Sequence, residues 1–243
     1  MPCHRMKLLI TADLHYNLKQ FDWLLRQVAE VDAMVLAGDF LDIGSYVTVD
    51  VQSQVVEKYL TRLVRDTRVM VSSGNHDVDQ PEEGAAYAAA WMQDLRDSGI
   101  EVDGDCVEMG DVTVSICPWT MHPDQRAAAL SGLRAAGAKR LGTWIWVHHA
   151  PPDHTPLSWT GKVHFGSPEL QEWIEELKPD LVFSGHVHQA PFQAEGAWQA
   201  KVGSTLAFNA GYEMSSTPPH LWVDLENRTV RWCSSGGAET VAF

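Results

Sequence analysis

The sequence contains few cysteines and few basic residues, and both shortages limit what the protein can be. The four cysteines, Cys3, Cys106, Cys117 and Cys233, are scattered through 243 residues without any Cys-x-x-Cys spacing. This pattern favours reduced thiols over a disulfide framework or a thiolate zinc site. Lysine and arginine total 18 against 32 aspartates and glutamates, which gives a net charge of -14. Such an acidic chain disfavours long duplex nucleic acid and anionic membranes as partners, but phosphate substrates stay open if bound cations reverse the local field.

Long apolar runs are also missing. No stretch is long enough to span a bilayer, and residues 1–7 lack the apolar core and cleavage site of a signal peptide. We therefore expect a cytoplasmic protein without a membrane segment. A length of 243 residues with 45% hydrophobic content predicts a single domain over 1–243.

Short apolar segments alternate with amphipathic ones through the first hundred residues. Central strands joined by short connections to helices are typical of a mostly parallel sheet with helices on both faces. The pattern predicts strands at 7–11, 33–37 and 68–72, helices at 19–31 and 51–66, and a helix that opens at Pro81 and runs through Leu95.

The second half mixes further α/β segments with antiparallel strands. The long segment 153–167 has no periodicity, and we expect this loop to lie over a cleft. The pattern predicts a hairpin of 106–109 and 112–117, helices at 124–136 and 168–177, strands at 143–147 and 180–183, and antiparallel strands at 192–194, 197–202, 205–209, 220–224 and 229–233.

Candidate metal ligands follow the apolar strands. Because the carboxyl ends of parallel strands meet at one edge of a sheet, residues distant in sequence can share one site there. Mixed imidazole and carboxylate ligands favour Mn, Fe, Zn, Co or Ni over the all-oxygen sites of Ca or Mg. The residues in question are Asp13, His15, Asp39, Asn75, His76, His148, His186 and His188.

Five short motifs occur in order between residues 8 and 188: Asp-x-His at 13–15, Gly-Asp-x-x-Asp at 38–42, Gly-Asn-His-Asp at 74–77, a histidine after the strand 143–147, and Gly-His-x-His at 185–188. In this order they resemble the calcineurin-like metallophosphoesterase family. The resemblance implies a four-layer α-β-β-α sandwich with mixed sheets and a dinuclear metal site at the carboxyl ends of the strands.

The resemblance also implies a role for each motif residue. It assigns Asp13, His15 and His188 to one metal ion, Asn75, His148 and His186 to the other, and Asp39 to both. His148 is preferred over His149 because it lies nearer the strand, and His149 is then a contact to a ligand or to substrate, although the choice is open. We expect Asp42 to hold a ligand by a hydrogen bond.

The implied reaction is phosphoester hydrolysis by in-line attack of a hydroxide that bridges two divalent transition-metal ions, with manganese favoured. His76, which is not needed as a ligand, is expected to stabilise the phosphoryl group or protonate the leaving oxygen, with Asp77 orienting it.

The substrate class is predicted from what surrounds the motifs. Ile43 and Gly44 follow the second motif and no arginine flanks any of them, so a doubly charged phosphomonoester would find little neutralising charge. A small phosphodiester, such as a small nucleotide or cyclic nucleotide, is therefore favoured. The alternatives are a phosphomonoesterase of the same fold and a non-catalytic scaffold that binds a partner protein. A homodimer is compatible with the sequence.

Overall fold

The computed structural model describes residues 6–79 and 88–243, which contain twelve strands and five α-helices. The strands are β1 (Lys7–Thr11), β2 (Ala33–Ala37), β3 (Arg68–Ser72), β4 (Cys106–Met109), β5 (Val112–Ile116), β6 (Thr143–Val147), β7 (Leu181–Ser184), β8 (Gln199–Val202), β9 (Thr205–Asn209), β10 (His220–Asp224), β11 (Thr229–Ser234) and β12 (Gly237–Ala242). The helices are α1 (Leu18–Gln27), α2 (Val49–Leu63), α3 (Ala90–Gln93), α4 (Pro123–Gly137) and α5 (Pro168–Leu177).

The strands form two six-stranded mixed sheets. The first sheet has the order β12-β11-β10-β1-β2-β3, and the second has the order β4-β5-β6-β7-β9-β8. In the first sheet β1, β2 and β3 are parallel, and β10 pairs with β1 in the antiparallel direction. In the second sheet β5, β6, β7 and β9 are parallel, and β4 and β8 pair antiparallel at the two edges.

Alternation of side chains along the strands divides the apolar residues into three layers. In β1, Leu8 and Ile10 face the second sheet, whereas Leu9 faces the helices. The layer between the sheets includes Val35, Val114, Ile145, Val147, Phe183, Phe208 and Val223, all buried.

Helices cover the outer face of each sheet. In α1, Phe21 and Leu24 are three residues apart and pack on the first sheet with Val56 and Leu60 of α2. Leu133 of α4 and Trp173 of α5 pack on the second sheet in the same way. The result is the predicted α-β-β-α sandwich, with one helical layer on each outside face.

Most predicted elements are confirmed, with three differences. The strand and helix rhythm predicted a mostly parallel sheet with helices on both faces, and this prediction is wrong, because β1–β3 and β5–β7 lie in two separate mixed sheets that cover each other's inner faces. The strand predicted at 192–194 is a 3₁₀ turn, Ala190–Phe192, and the sequence pattern did not indicate the exposed edge strand β12.

The predicted helix from Pro81 begins outside the described residues. Its described part consists of α3 and a 3₁₀ segment, Asp94–Ser98. Across 6–79 and 88–243, none of the helices is long and apolar enough to cross a bilayer.

Candidate metal centre

The polar residues that follow the strands converge on one place, although they come from both sheets. Asp13 and His15 follow β1, Asp39 follows β2, Asn75 and His76 follow β3. On the second sheet, His149 follows β6 and the pair His186 and His188 follows β7. The two sheets therefore present their carboxyl ends to a single cluster, which we call the metal centre.

One half of the metal centre contains Asp13, His15, Asp39 and His188. The two imidazoles approach each other with 3.0 Å between the Nε2 atoms of His15 and His188. Asp13 Oδ1 lies 3.2 Å from His188 Nε2, and Asp39 Oδ2 lies 3.7 Å from His15 Nε2. Four donor atoms thus surround one small space.

The other half contains Asp39, His149 and His186. His149 Nε2 lies 3.2 Å from Asp39 Oδ2 but makes no hydrogen bond with it. The side-chain oxygen of Asn75 is also buried without a hydrogen-bond partner. Asp39 belongs to both halves, so its carboxylate lies between two sets of potential metal ligands.

These donors fit divalent cations. His149 Nδ1 lies 2.7 Å from the carbonyl oxygen of Ala37, which can only accept, so Nδ1 carries a proton. When Nε2 is deprotonated, its lone pair faces Asp39. Buried polar atoms without partners are costly. A cation beside His149 Nε2 and Asn75 Oδ1 removes that cost, and imidazole, carboxylate and amide donors together suit a first-row transition metal.

The structure corrects the choice between the two neighbouring histidines. His148 points away from the metal centre: its Nδ1 lies 2.8 Å from the carbonyl oxygen of Ala150, and its ring lies beside Trp173 of α5. His149 occupies the position that was assigned to His148. The reason is strand alternation, because His148 continues the helix-facing side of β6 and His149 continues the side that faces the other sheet.

The described contacts of the Asp77 carboxylate are with backbone groups. Its carboxylate accepts hydrogen bonds from the backbone N–H groups of Asp39, Phe40, Leu41 and Gly74, at 2.7 to 3.1 Å. Burial and the Asp39 charge raise the pKa of Asp77, and these N–H donors act in the opposite direction. The contacts fix the loop that carries Asp39, so Asp77 positions that carboxylate and makes no described contact with the His76 ring.

The backbone around the metal centre is held in the left-handed region. Asp13, His15, Asp39 and His186 have φ of 56°, 41°, 56° and 66°. This conformation is strained for non-glycine residues unless surrounding contacts enforce it, and such residues concentrate at functional sites. Gly74 is needed for a related reason, because a Cβ there would lie 2.2 Å from Asp39 Oδ1.

His76 lies at the open side of the metal centre. Its Nε2 is 3.9 Å from Asp39 Oδ2, its side chain is 22% exposed, and its backbone N–H donates to Asp39 Oδ1 at 2.9 Å. Asp42 forms a third group of potential donors with His15 and His76, and it also accepts the Gly44 N–H at 2.9 Å. Asp42 therefore lies near the ligand candidate His15, and the predicted hydrogen bond from Asp42 to a ligand stays a prediction.

Burial and the carboxylates control the charges of the imidazoles. Burial lowers the pKa of His186 to about 3, with repulsion from His149 adding to the effect. Burial likewise lowers the pKa of His15. For His149, burial acts in the same direction but the charges of Asp39 and Asp13 prevail and raise the pKa to about 9. A cation held between these groups would replace the proton that the carboxylates attract.

The family comparison agrees with this geometry. Residues 6–190 match the sequence model of the calcineurin-like phosphoesterases. The chain belongs to this family. It is a metal-dependent phosphoesterase with an intact histidine and aspartate cluster. No curated protein sequence matches the chain significantly.

Several solved structures, two of them of phosphatases, share the fold. A purple acid phosphatase from yellow lupin seeds superimposes with a TM-score of 0.65 at 13% identity, over 98% of this chain and 53% of the phosphatase. A dimetal phosphatase from Danio rerio gives a TM-score of 0.59 at 10% identity, over 98% and 99%. A protein from Thermus thermophilus gives 0.62 at 14% identity, over 98% and 99%. At these identities the likeness concerns the sandwich itself.

Aromatic side chains border the metal centre of this phosphoesterase, and the motifs did not indicate them. The Trp119 ring lies 5.3 Å from that of His186, and the Tyr212 ring lies 4.7 Å from that of His188. Phe165, from the loop 153–167, stacks on His186 at 4.9 Å. The loop thus reaches the metal centre as predicted. Its position after a strand and its lack of periodicity were the signals available in the sequence.

Proposed function

We propose that this phosphoesterase hydrolyses a small phosphodiester, such as a small nucleotide or cyclic nucleotide. The observation that carries the proposal is the Asp39 carboxylate, which belongs to two groups of potential metal ligands and whose Oδ2 lies 3.7 Å from His15 Nε2 and 3.2 Å from His149 Nε2. The preference for a diester over a monoester is supported by the charged side chains that surround these metal-ligand candidates.

The proposed ligands divide between two ions. Asp13, His15 and His188 serve the first, Asn75, His149 and His186 serve the second, and Asp39 serves both. When bound, two divalent cations lower the pKa of a shared water and neutralise the phosphoryl oxygens. The buried Asn75 Oδ1, which has no hydrogen-bond partner, and the His149 Nε2 that faces Asp39 support the second position, and the close approach of His15 to His188 supports the first.

His76 is proposed to act on the substrate. Its Nδ1 lies 3.5 Å from the Ile43 N–H, which leaves Nε2 as the nitrogen that carries the proton in the neutral ring. Because the side chain is partly exposed beside Asp39, Nε2–H can donate to a phosphoryl oxygen or to the leaving oxygen. Asp77 is proposed to act indirectly, because its carboxylate holds the loop that carries Asp39.

The charges beside the metal centre favour a diester. Within the described ranges, the ion pairs of Asp13 and Asp39 are all with histidines. A phosphomonoester carries an additional negative charge, and arginine is the residue best suited to bind it through paired hydrogen bonds. A diester needs less of this neutralisation.

Four further features of the proposal rest on the sequence. Manganese is favoured as the metal, a homodimer is compatible with the chain, the location is predicted to be cytoplasmic, and residues 1–243 are predicted to form one domain. The shared apolar layer between the sheets supports the last of these.

The test compares a chromogenic diester with its monoester. Metal-stripped protein receives Mn, Zn, Ni, Fe or Mg singly, and hydrolysis of bis(p-nitrophenyl) phosphate and p-nitrophenyl phosphate is followed. We expect metal-dependent turnover that is faster with the diester. Asn75→Ala should reduce it at least about 100-fold, since even residues that only support a ligand cost 10–100-fold.

Asn227→Ala, at the exposed turn after β10, is the matched control and should retain activity. Faster turnover of the monoester would replace the diester proposal with a phosphomonoesterase. No turnover with any metal would contradict the proposed substrates altogether.

A further inference from the structure

Phe165 is an exposed aromatic residue next to the metal centre. The residue is 58% exposed, yet its ring is stacked on the His186 imidazole with 4.9 Å between centroids and 25° between planes. An aromatic ring that borders a cleft can bind a planar or apolar part of a ligand. One ring face therefore supports a proposed metal ligand while the residue remains accessible to solvent.

The backbone around Phe165 is held firmly. The Phe165 N–H donates to the Ser158 carbonyl at 2.8 Å, and the Gly166 N–H donates to Asp153 Oδ1 at 3.1 Å. Gly166 allows the loop to pass close to the chain after β6, because a Cβ there would lie 2.7 Å from the Pro151 carbonyl oxygen. A side chain on such a loop loses little further freedom when a ligand binds, which favours binding.

The arrangement suits a flat ligand. His186 has Phe165 stacked on it and Trp119 inclined beside it at 5.3 Å, so aromatic surfaces already border the place where a phosphoryl group would lie. A planar heterocycle can continue the stack on Phe165. Such a contact needs no basic residue and is therefore compatible with a chain of net charge -14.

We propose that Phe165 is the platform on which a nucleobase of the substrate stacks, so that the substrates of this enzyme are phosphodiesters of nucleosides. The inference rests on the proposed phosphodiesterase function and narrows its substrate class. Phe165 acts as a specificity-determining residue: it binds the part of the substrate that does not react and thereby places the phosphorus at the metal centre.

The experiment uses two diesters that share one leaving group. Thymidine 5′-phosphate p-nitrophenyl ester carries a base, and methyl p-nitrophenyl phosphate does not. The ratio of kcat/KM for these esters is measured in the manganese-loaded wild type and in Phe165→Ala, Phe165→Leu and Phe165→Tyr. Bound manganese is determined for each protein, so that damage to the metal centre is seen separately.

We expect the wild type to prefer the nucleoside ester. The ratio should fall about tenfold in Phe165→Ala and in Phe165→Leu, mainly through KM, because base stacking on an aromatic ring is lost in both. Phe165→Tyr keeps the ring and should retain the ratio. Val163→Ala is the matched control, since Val163 is similarly exposed at 59% in the same loop and its described hydrogen bonds use the backbone.

Binding provides a second readout that does not depend on turnover. Calorimetric titration with adenosine monophosphate and with methyl phosphate should give the same Phe165-dependent difference in Kd. An unchanged ratio of kcat/KM values in Phe165→Ala would overturn the inference. A ratio retained in Phe165→Leu would also overturn it, because any apolar side chain would then suffice and no aromatic ring would be needed. If neither ester is hydrolysed, the proposed function fails, and the titration still decides the role of Phe165.

Discussion

The same strands build two regions with opposite chemistry. The layer between the two sheets is apolar, whereas the metal centre at the strand ends is made of buried charged and polar groups. Between the sheets, side chains such as Ile10, Val35 and Phe183 are buried and apolar, and each buried surface contributes to stability. A few residues further along the same strands, Asp13 and Asp39 are 0% and 1% exposed, and strained backbone carries them. Burial stabilises the first region and costs energy in the second.

The difference separates the residues that stabilise the fold from those that need a functional explanation. The apolar layer alone would be better continued by more apolar residues, so charged groups in strained conformations need a bound partner to explain them. Substitutions in the metal centre should therefore reduce metal binding and activity more than stability. Substitutions between the sheets should do the reverse.

The largest effect is expected for Asp39→Asn. Asp39 is shared by both groups of donors, so its loss should reduce diester hydrolysis on the order of 10³-fold and lower the bound metal below two ions per chain. Hydrolysis and metal analysis measure these changes. Asp66→Asn, on the exposed surface after α2, is the control. Unchanged metal content in Asp39→Asn would contradict the shared position.

The two adjacent histidines allow a sharper comparison. His149→Gln removes a nitrogen that faces Asp39 and should reduce activity about 100-fold or more, with loss of metal. His148→Gln disturbs a buried ring that contacts Ala150 and should lower the free energy of unfolding by about 1–3 kcal/mol while both ions stay bound. Metal analysis and urea unfolding of both variants show which of the two histidines is the ligand. Loss of metal in His148→Gln but not in His149→Gln would restore His148 as the ligand.

Asp77→Asn tests the support beneath the metal centre. In the wild type, both carboxylate oxygens accept hydrogen bonds from backbone N–H groups, whereas the amide nitrogen of asparagine cannot accept any. Because the hydrogen bonds to one of the two oxygens are lost, the free energy of unfolding should fall by about 2–3 kcal/mol. Activity should fall less than in Asp39→Asn. Urea unfolding measures the change, with the exposed Asp111→Asn as control. If the variant is as stable as the wild type, the hydrogen bonds from these N–H groups to the Asp77 carboxylate do not contribute to stability.

The smallest effect is expected between the sheets. Ile145→Val removes one buried methylene from β6 and should lower the free energy of unfolding by about 1 kcal/mol. Metal content and kcat/KM should stay at the wild-type values. A clear loss of metal in this variant would show that the two regions are coupled more closely than the comparison assumes.

Sequence patterns predicted the strands because each apolar run of β1, β2, β3 and β6 ends abruptly in polar residues. They also predicted that the motifs meet, but not that the strand ends belong to two facing sheets instead of one edge. They did not separate His148 from His149, because alternation gives two faces but does not say which face meets the second sheet. The exposed strand β12 lacks apolar alternation, and the partners of Asp77 depend on a loop crossing that no local pattern encodes.

Asp39 is proposed to lie between two metal ions. Crystals of the manganese-loaded protein, measured by anomalous scattering, test it directly. We predict two peaks about 3.5–4 Å apart, one beside Asp13, His15 and His188 and the other beside Asn75, His149 and His186, with Asp39 touching both. A single peak, or a second ion bound by His148, would contradict the account.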